Sequence, residues 1–89
     1  MLAFYYGEDC PHCKKMHALI DAIEKERGKL FERTEVWNNE EACKHMEEAC
    51  DRGRCGGVPF FYNPKTDAFL CGEVEQEELD TWLKEQEQV

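Results

Sequence analysis

Cys10 and Cys13, in the run Cys10-Pro11-His12-Cys13, are the residues of this 89-residue chain best suited to covalent chemistry. Cysteines at this spacing either supply half of a four-ligand metal site or cycle between dithiol and disulfide. A zinc ribbon needs a second CxxC or a paired-histidine spacing, and the sequence has neither, so no metal is expected. Thiol–disulfide exchange needs a thiolate as the attacking species. The context supplies a reason for one. Leu2 to Tyr6 is a short apolar, aromatic run ended by Gly7 and reads as a buried strand. Pro11 to Arg27 carries Met16, Leu19, Ile20 and Ile23 at helical spacing, with Gly28 suited to the C-terminal cap. Cys10 therefore falls where a strand gives way to a helix. Unpaired N–H groups and about half a positive charge favour a thiolate there. Cys10 is the candidate nucleophile. Cys13, one turn on, can reach back and resolve a mixed disulfide. Pro11 sets the backbone between them and lacks an N–H that would go unpaired. His12 offers a positive charge or a donor beside the thiolate, which favours the dithiol form. Glu8 and Asp9 act against it, and Lys14 and Lys15 can offset them.

The rest of the chain must position this motif. Leu30 to Trp37 is β-prone at its end and is expected to be a second strand. Asn38 and Asn39 are helix N-cap residues, and Asn38 with Glu41 resembles a capping box for a helix from about Glu40 to Arg52, with Ala42, Met46 and Ala49 on one face and Gly53 ending it. Val58 to Asn63 reads as a strand, Pro64-Lys65-Thr66-Asp67 as a turn, and Ala68 to Cys71 as the returning hairpin strand. Glu75 to about Glu87 forms a last helix, with Leu79, Trp82 and Leu83 facing inward. The order β-α-β-α-β-β-α predicts an α/β fold in one domain over residues 1–89. A parallel pair with a right-handed crossover comes first and an antiparallel hairpin follows, giving a four-stranded mixed sheet with helices on both faces. Pro59 opens a strand that should lie centrally, where a missing N–H is costly, and a cis Val58–Pro59 bond beside the motif would account for it.

Composition narrows the partners. Apolar residues make up 42% and net charge is −9, with 20 acids against 11 bases. An acidic globular chain lacks the basic face that nucleic acid or an anionic membrane needs. No apolar run approaches the roughly 20 residues of a membrane span. Met1 to Tyr6 has no basic region and only a short apolar stretch, so it does not read as a secretory signal and a cytoplasmic location is expected. A monomer is expected as well. Residues 73–89 hold seven acids and one lysine, which reads as a solvated helix face.

With these features in place, the chain resembles the thioredoxin superfamily in its minimal glutaredoxin-like form, over nearly its whole length. The resemblance rests on CPHC after the first strand, Val58-Pro59 opening the third, and the element order. It implies a thioredoxin-like fold and a thiol–disulfide oxidoreductase acting on protein or glutathione disulfides. It implies no tightly bound cofactor, and glutathione or a thioredoxin-type reductant as electron source. The family's site roles map onto Cys10, Cys13 and Pro59, with Val58 pairing through its backbone with an extended substrate. Gly57 stands where glutaredoxins carry a threonine, and Tyr6 is placed to line the site. The chain departs from the family at Asp9, which replaces the tryptophan of thioredoxins, and at Phe4, which replaces their buried acid. Gly7 stands in the place of a lysine usual in glutaredoxins, and Gly72-Glu73 only echoes their glutathione-binding turn.

Four cysteines lie outside the motif. Cys43 and Cys50 share a helix face about 10 Å apart, too far for a disulfide. Cys50 and Cys55 straddle the Gly53 loop and could form a regulatory disulfide. Otherwise Cys43, Cys50, Cys55 and Cys71 read as free, partly buried thiols. A second function follows from them: a non-catalytic redox-sensing or metal-binding module using Cys43, Cys50 and Cys55. His45 reads as a surface helix residue and His17 as solvent-facing. Trp37 and Trp82 read as core or sheet-end aromatics rather than stacking platforms.

Overall fold

Side chains along a strand alternate between two faces, and here both faces find a cover. The computed structural model describes residues 2–50 and 57–87, with 49 and 50 described by backbone alone. The elements are β1 (Leu2–Tyr6), α1 (Pro11–Arg27), β2 (Phe31–Glu35), α2 (Glu40–Cys50), β3 (Phe60–Asn63), β4 (Ala68–Cys71) and α3 (Gln76–Glu87). The strands form one sheet in the order β2-β1-β3-β4. β1 and β2 are parallel, with Leu2 opposite Phe31 and Tyr6 opposite Glu35. β1 and β3 are antiparallel, with Tyr5 opposite Phe60, and so are β3 and β4, with Phe60 opposite Cys71.

Phe4 of β1, Phe31 of β2 and Phe61 of β3 point to one face. Met16, Ile20 and Ile23 of α1 and Leu79, Trp82 and Leu83 of α3 pack there. Phe60 and the partly buried Tyr5 and Tyr62 point to the other, under Ala42 and Met46 of α2. The α/β architecture, the element order and the helices on both faces therefore match expectation. At ~25 cal/mol per Å² of apolar surface, each buried phenylalanine contributes up to about 3 kcal/mol. The four fully buried ones, Phe4, Phe31, Phe60 and Phe61, are the main fixed points of the sheet.

Some boundaries differ from expectation, and one lies outside the described residues. The second strand ends at Glu35 and the third begins at Phe60, so Trp37 and Val58 lie in loops. The helix expected to reach Arg52 is described as far as Cys50, and the expected stop at Gly53 lies outside the described residues. The cap of α2 is Asn39, whose Oδ1 accepts the Ala42 N–H at 3.1 Å. Asn38 turns its side-chain amide to Glu8 Oε2 instead, at 3.0 Å. A side chain caps only the helix it immediately precedes, and Asn38 stands one residue too early.

Gly7, at the end of β1, answers a single steric demand. A Cβ on it would lie 2.2 Å from Cδ2 of Trp37, because the indole lies flat against the backbone there. Trp82 is core as expected, at 5% exposure, but Trp37 is 56% exposed and only its inner face is covered. Its place two residues past the end of an edge strand leaves nothing to bury the outer face. Gly7→Ala is therefore expected to push the indole off the backbone and to cost about 1–2 kcal/mol. Acrylamide quenching of tryptophan fluorescence, to which the buried Trp82 contributes little, should rise; unchanged quenching and urea midpoint would contradict the packing.

Candidate active site at the carboxyl end of β1

The parallel β1–α1–β2 unit brings the start of α1 to the carboxyl end of β1, the edge of an α/β sheet where functional groups collect. Cys10 is the N-cap of α1 in an extended conformation (φ −82°, ψ 114°), with Pro11 as the first helical residue. Its Sγ accepts the backbone N–H of Cys13 at 3.3 Å. The Cys10 N–H donates to the Gly7 carbonyl at 3.2 Å and its carbonyl accepts from Lys14 N at 3.1 Å, so the residue is held from both sides. Both sulfurs are free thiols. Cys10 is 4% exposed and Cys13 is fully buried.

The two sulfurs differ in environment. Burial pushes the Cys13 thiol up to about 12, and a side-chain hydrogen bond to Cys10 acts in the same direction. A hydrogen bond raises a thiol in this way when its protonated form is the donor. Cys13 donates its backbone N–H to the Cys10 sulfur, while a backbone hydrogen bond from Gly7 to the Cys13 sulfur opposes the rise without cancelling it. The sequence-expected asymmetry, with Cys10 the receiving sulfur, has this geometric basis.

Four strand ends meet around the pair. Val58–Pro59 is a cis peptide bond. Continuing the antiparallel register past Tyr5 and Phe60 puts Pro59 across from Tyr6, so Gly57, Val58 and Pro59 sit at the same sheet end as the motif. The Pro59 carbonyl accepts the Gly72 N–H at 2.8 Å, which ties the end of β4 to the same place. Tyr6 packs toward the α1–α3 face, its ring stacked at 5.9 Å on Phe4.

Sequence reasoning missed three side chains here. Glu73, two residues past β4, reaches His12: its Oε1 is 3.3 Å from His12 Nδ1 and 3.6 Å from Lys15 Nζ. The positive charge expected to assist Cys10 is thus met by a carboxylate from the far edge of the sheet. Glu35 closes the other side. It accepts backbone N–H groups from Glu8 at 2.8 Å, Trp37 at 3.1 Å and Asn38 at 2.8 Å. Those three bonds outweigh desolvation and hold its carboxyl below the usual carboxylate range. The loops after β1 and β2 are fastened to one another through it. The parallel register that sets Tyr6 beside Glu35 is the signal that could have found it.

The third is His17, a correction to the expectation of a solvent-facing ring. It lies one turn past Cys13, edge-on to Phe4 at 5.1 Å and to Tyr6 at 4.4 Å. Arg33 Nη1 is 3.1 Å from its Nδ1, and Arg33 also bonds Asp21 at 2.7 Å and Glu24 at 2.9 Å. The ring turns inward because β1 places two aromatics beneath that turn of α1. Since Arg33 can only donate, His17 Nδ1 accepts and the neutral ring is favoured. Burial first, then the Arg33 charge, lower its pKa from the ordinary value near 6.5.

The remaining cysteines divide. Cys43 is a half-buried free thiol with its Sγ 3.9 Å from Glu47 Oε1. Cys71 is disulfide-bonded, which corrects its reading as a free, partly buried thiol; it stands exposed at the end of an edge strand. The Cys50–Cys55 pair lies outside the described residues. Among the described residues no group of three or more His, Cys, Asp or Glu is arranged to hold a metal ion. His45 is exposed, as expected. No helix among them is long and apolar enough to cross a membrane.

A group whose pKa is lowered on folding contributes stability above its unfolded value and loses it as pH falls toward the folded one. His17 should therefore make the protein less stable as pH drops below about 6.5. Urea unfolding at pH 7.5 and 5.5 is expected to show a fall that His17→Gln reduces; an equal fall in both proteins would remove His17 as its source.

The chain matches no protein-family model and no curated protein.

Proposed function

We propose that this chain is a thiol–disulfide oxidoreductase with a thioredoxin-like fold of the minimal, glutaredoxin-like kind. The observation that carries the reading is the Cys10 sulfur capping α1 while Cys13 donates to it. The element order and the cis Val58–Pro59 bond at the same sheet end support it.

The chemistry uses only sulfur. The Cys10 thiolate attacks one sulfur of a substrate disulfide; a Cys10–substrate S–S bond forms, the substrate S–S bond breaks, and the leaving thiolate takes a proton from water. Cys13 then loses its proton and attacks Cys10, forming the Cys10–Cys13 disulfide and releasing the second substrate thiol. Two electrons pass from the dithiol to the substrate. The order of events follows from what holds the Cys13 proton. Burial holds it throughout, but the bond to Cys10 and the charge on Cys10 both end once Cys10 is tied to substrate. Formation of the mixed disulfide thus makes Cys13 the better nucleophile. A thiol reductant, glutathione or a thioredoxin-type protein, then restores the dithiol. Protein or glutathione disulfides are the substrates, the backbone of Val58 pairs with them, and the enzyme works as a cytoplasmic monomer.

In an insulin-reduction assay, Cys10→Ser should fall to the uncatalysed background. Cys13→Ser should accumulate a substrate adduct on Cys10, seen by mass spectrometry. Equal turnover by wild type and Cys10→Ser would end the oxidoreductase reading.

A further inference from the structure

One prominent feature plays no part in the sulfur chemistry. Trp37 is the one large apolar side chain exposed among the described residues. It is also held in place. Its inner face lies against Gly7, its backbone N–H donates to Glu35 at 3.1 Å, and Asn38 beside it is bonded to both Glu35 and Glu8. An indole resting on Gly7 and carried by a hydrogen-bonded backbone loses little conformational freedom when something binds its outer face. The position is close to the reacting sulfur in bonded steps. Trp37 lies on Gly7, and the Gly7 carbonyl accepts from the Cys10 N–H.

The charge around the indole selects what can approach. A shallow cavity of about 480 Å³ beside Trp37 is lined by Glu40, Glu47, Cys43 and Lys44. Glu8 and Asp9 are exposed on the side nearer Cys10. Glu35 contributes a further negative charge, held ionised by its three N–H donors. Carboxylates thus outnumber the single lysine of the cavity. An indole face attracts cations, arginine above all, and this attraction adds to that of the surrounding acids.

Resting on the oxidoreductase reading, we propose that Trp37 is a docking platform for the substrate polypeptide. It fits a segment with an arginine or lysine beside the disulfide cysteine, the cationic side chain lying on the indole while Cys10 meets the sulfur. Disulfides flanked by acidic groups are the poorer substrates.

The test uses two short peptide disulfides identical except for Arg or Glu beside the cysteine, with the full chain and its Trp37→Ala and Trp37→Phe variants. The wild type is expected to favour the Arg peptide in kcat/KM, with a preference that weakens as salt rises. Trp37→Ala should narrow that preference about fivefold and Trp37→Phe less, following the order of ring attraction for cations. The equilibrium of the Cys10–Cys13 couple with a glutathione buffer should stay the same in Trp37→Ala, which separates docking from a disturbed site. Titrations of the same peptides with serine in place of cysteine read docking without catalysis, so they decide the proposal even if neither peptide is reduced. No preference for Arg, or one that Trp37→Ala leaves intact in both kinetics and titration, would overturn the platform. Loss of turnover with the Arg preference intact in titration would instead overturn only the oxidoreductase reading.

Discussion

The Cys13 N–H that ends on the Cys10 sulfur is the bond around which the rest of this molecule is arranged. A helix leaves its first N–H groups without intrahelical partners, and an oxygen from Ser, Thr, Asp or Asn usually meets them. Here a sulfur does. That makes the cap weak for stability and useful for chemistry, because the same dipole that needs a partner favours a negative sulfur. The requirement then spreads outward. The helix must start at the carboxyl end of β1, which needs the parallel crossover to β2. The crossover needs an apolar face on α1, which Met16, Ile20 and Ile23 provide against Phe4 and Phe31.

The other strand ends complete the surroundings of that bond. Glu35 fastens the loop after β1 to the loop after β2, so the three residues leading to Cys10 cannot drift. Pro59 and Gly72, joined at 2.8 Å, bring β3 and β4 to the same level. From the end of β4, Glu73 meets His12 and Lys15. Its carboxylate offsets the Lys15 charge and pairs with the His12 ring at the start of α1, which tempers the assistance that His12 alone would give a thiolate. These ion pairs are exposed and individually weak, each worth about 0–1 kcal/mol. Their role is to set the sign of the field near the motif rather than to hold the fold.

Much of this was legible in the residues. CPHC between an apolar run and a helical one locates the site, and the alternation of Phe4, Tyr5, Phe60, Phe61 and Tyr62 assigns the faces of the sheet. What was not legible depends on contacts between strand ends distant in sequence. Glu73 is 61 residues from His12, and its place after Gly72, though noted in the sequence, gives no sign of that contact. His17 sits on a turn of α1 that looks polar, and only the aromatics of β1 below it show why the ring turns inward. Trp37 reads as a core or a sheet-end aromatic, and the edge position of β2 decides for the sheet end and leaves its outer face open. Asn38 and Asn39 are equally good caps in composition, and the length of the loop after β2 decides between them.

The central claim is that the two motif sulfurs are unlike, Cys10 capping the helix and buried Cys13 keeping its proton. The most direct measurement is a brief pulse of limiting iodoacetamide on the reduced protein at a series of pH values, with mass mapping of each cysteine. The account predicts that Cys10 is alkylated before Cys13 across the series, Cys13 reacting only as pH approaches about 12. Alkylation of Cys13 as early as Cys10, or before it, would contradict the account.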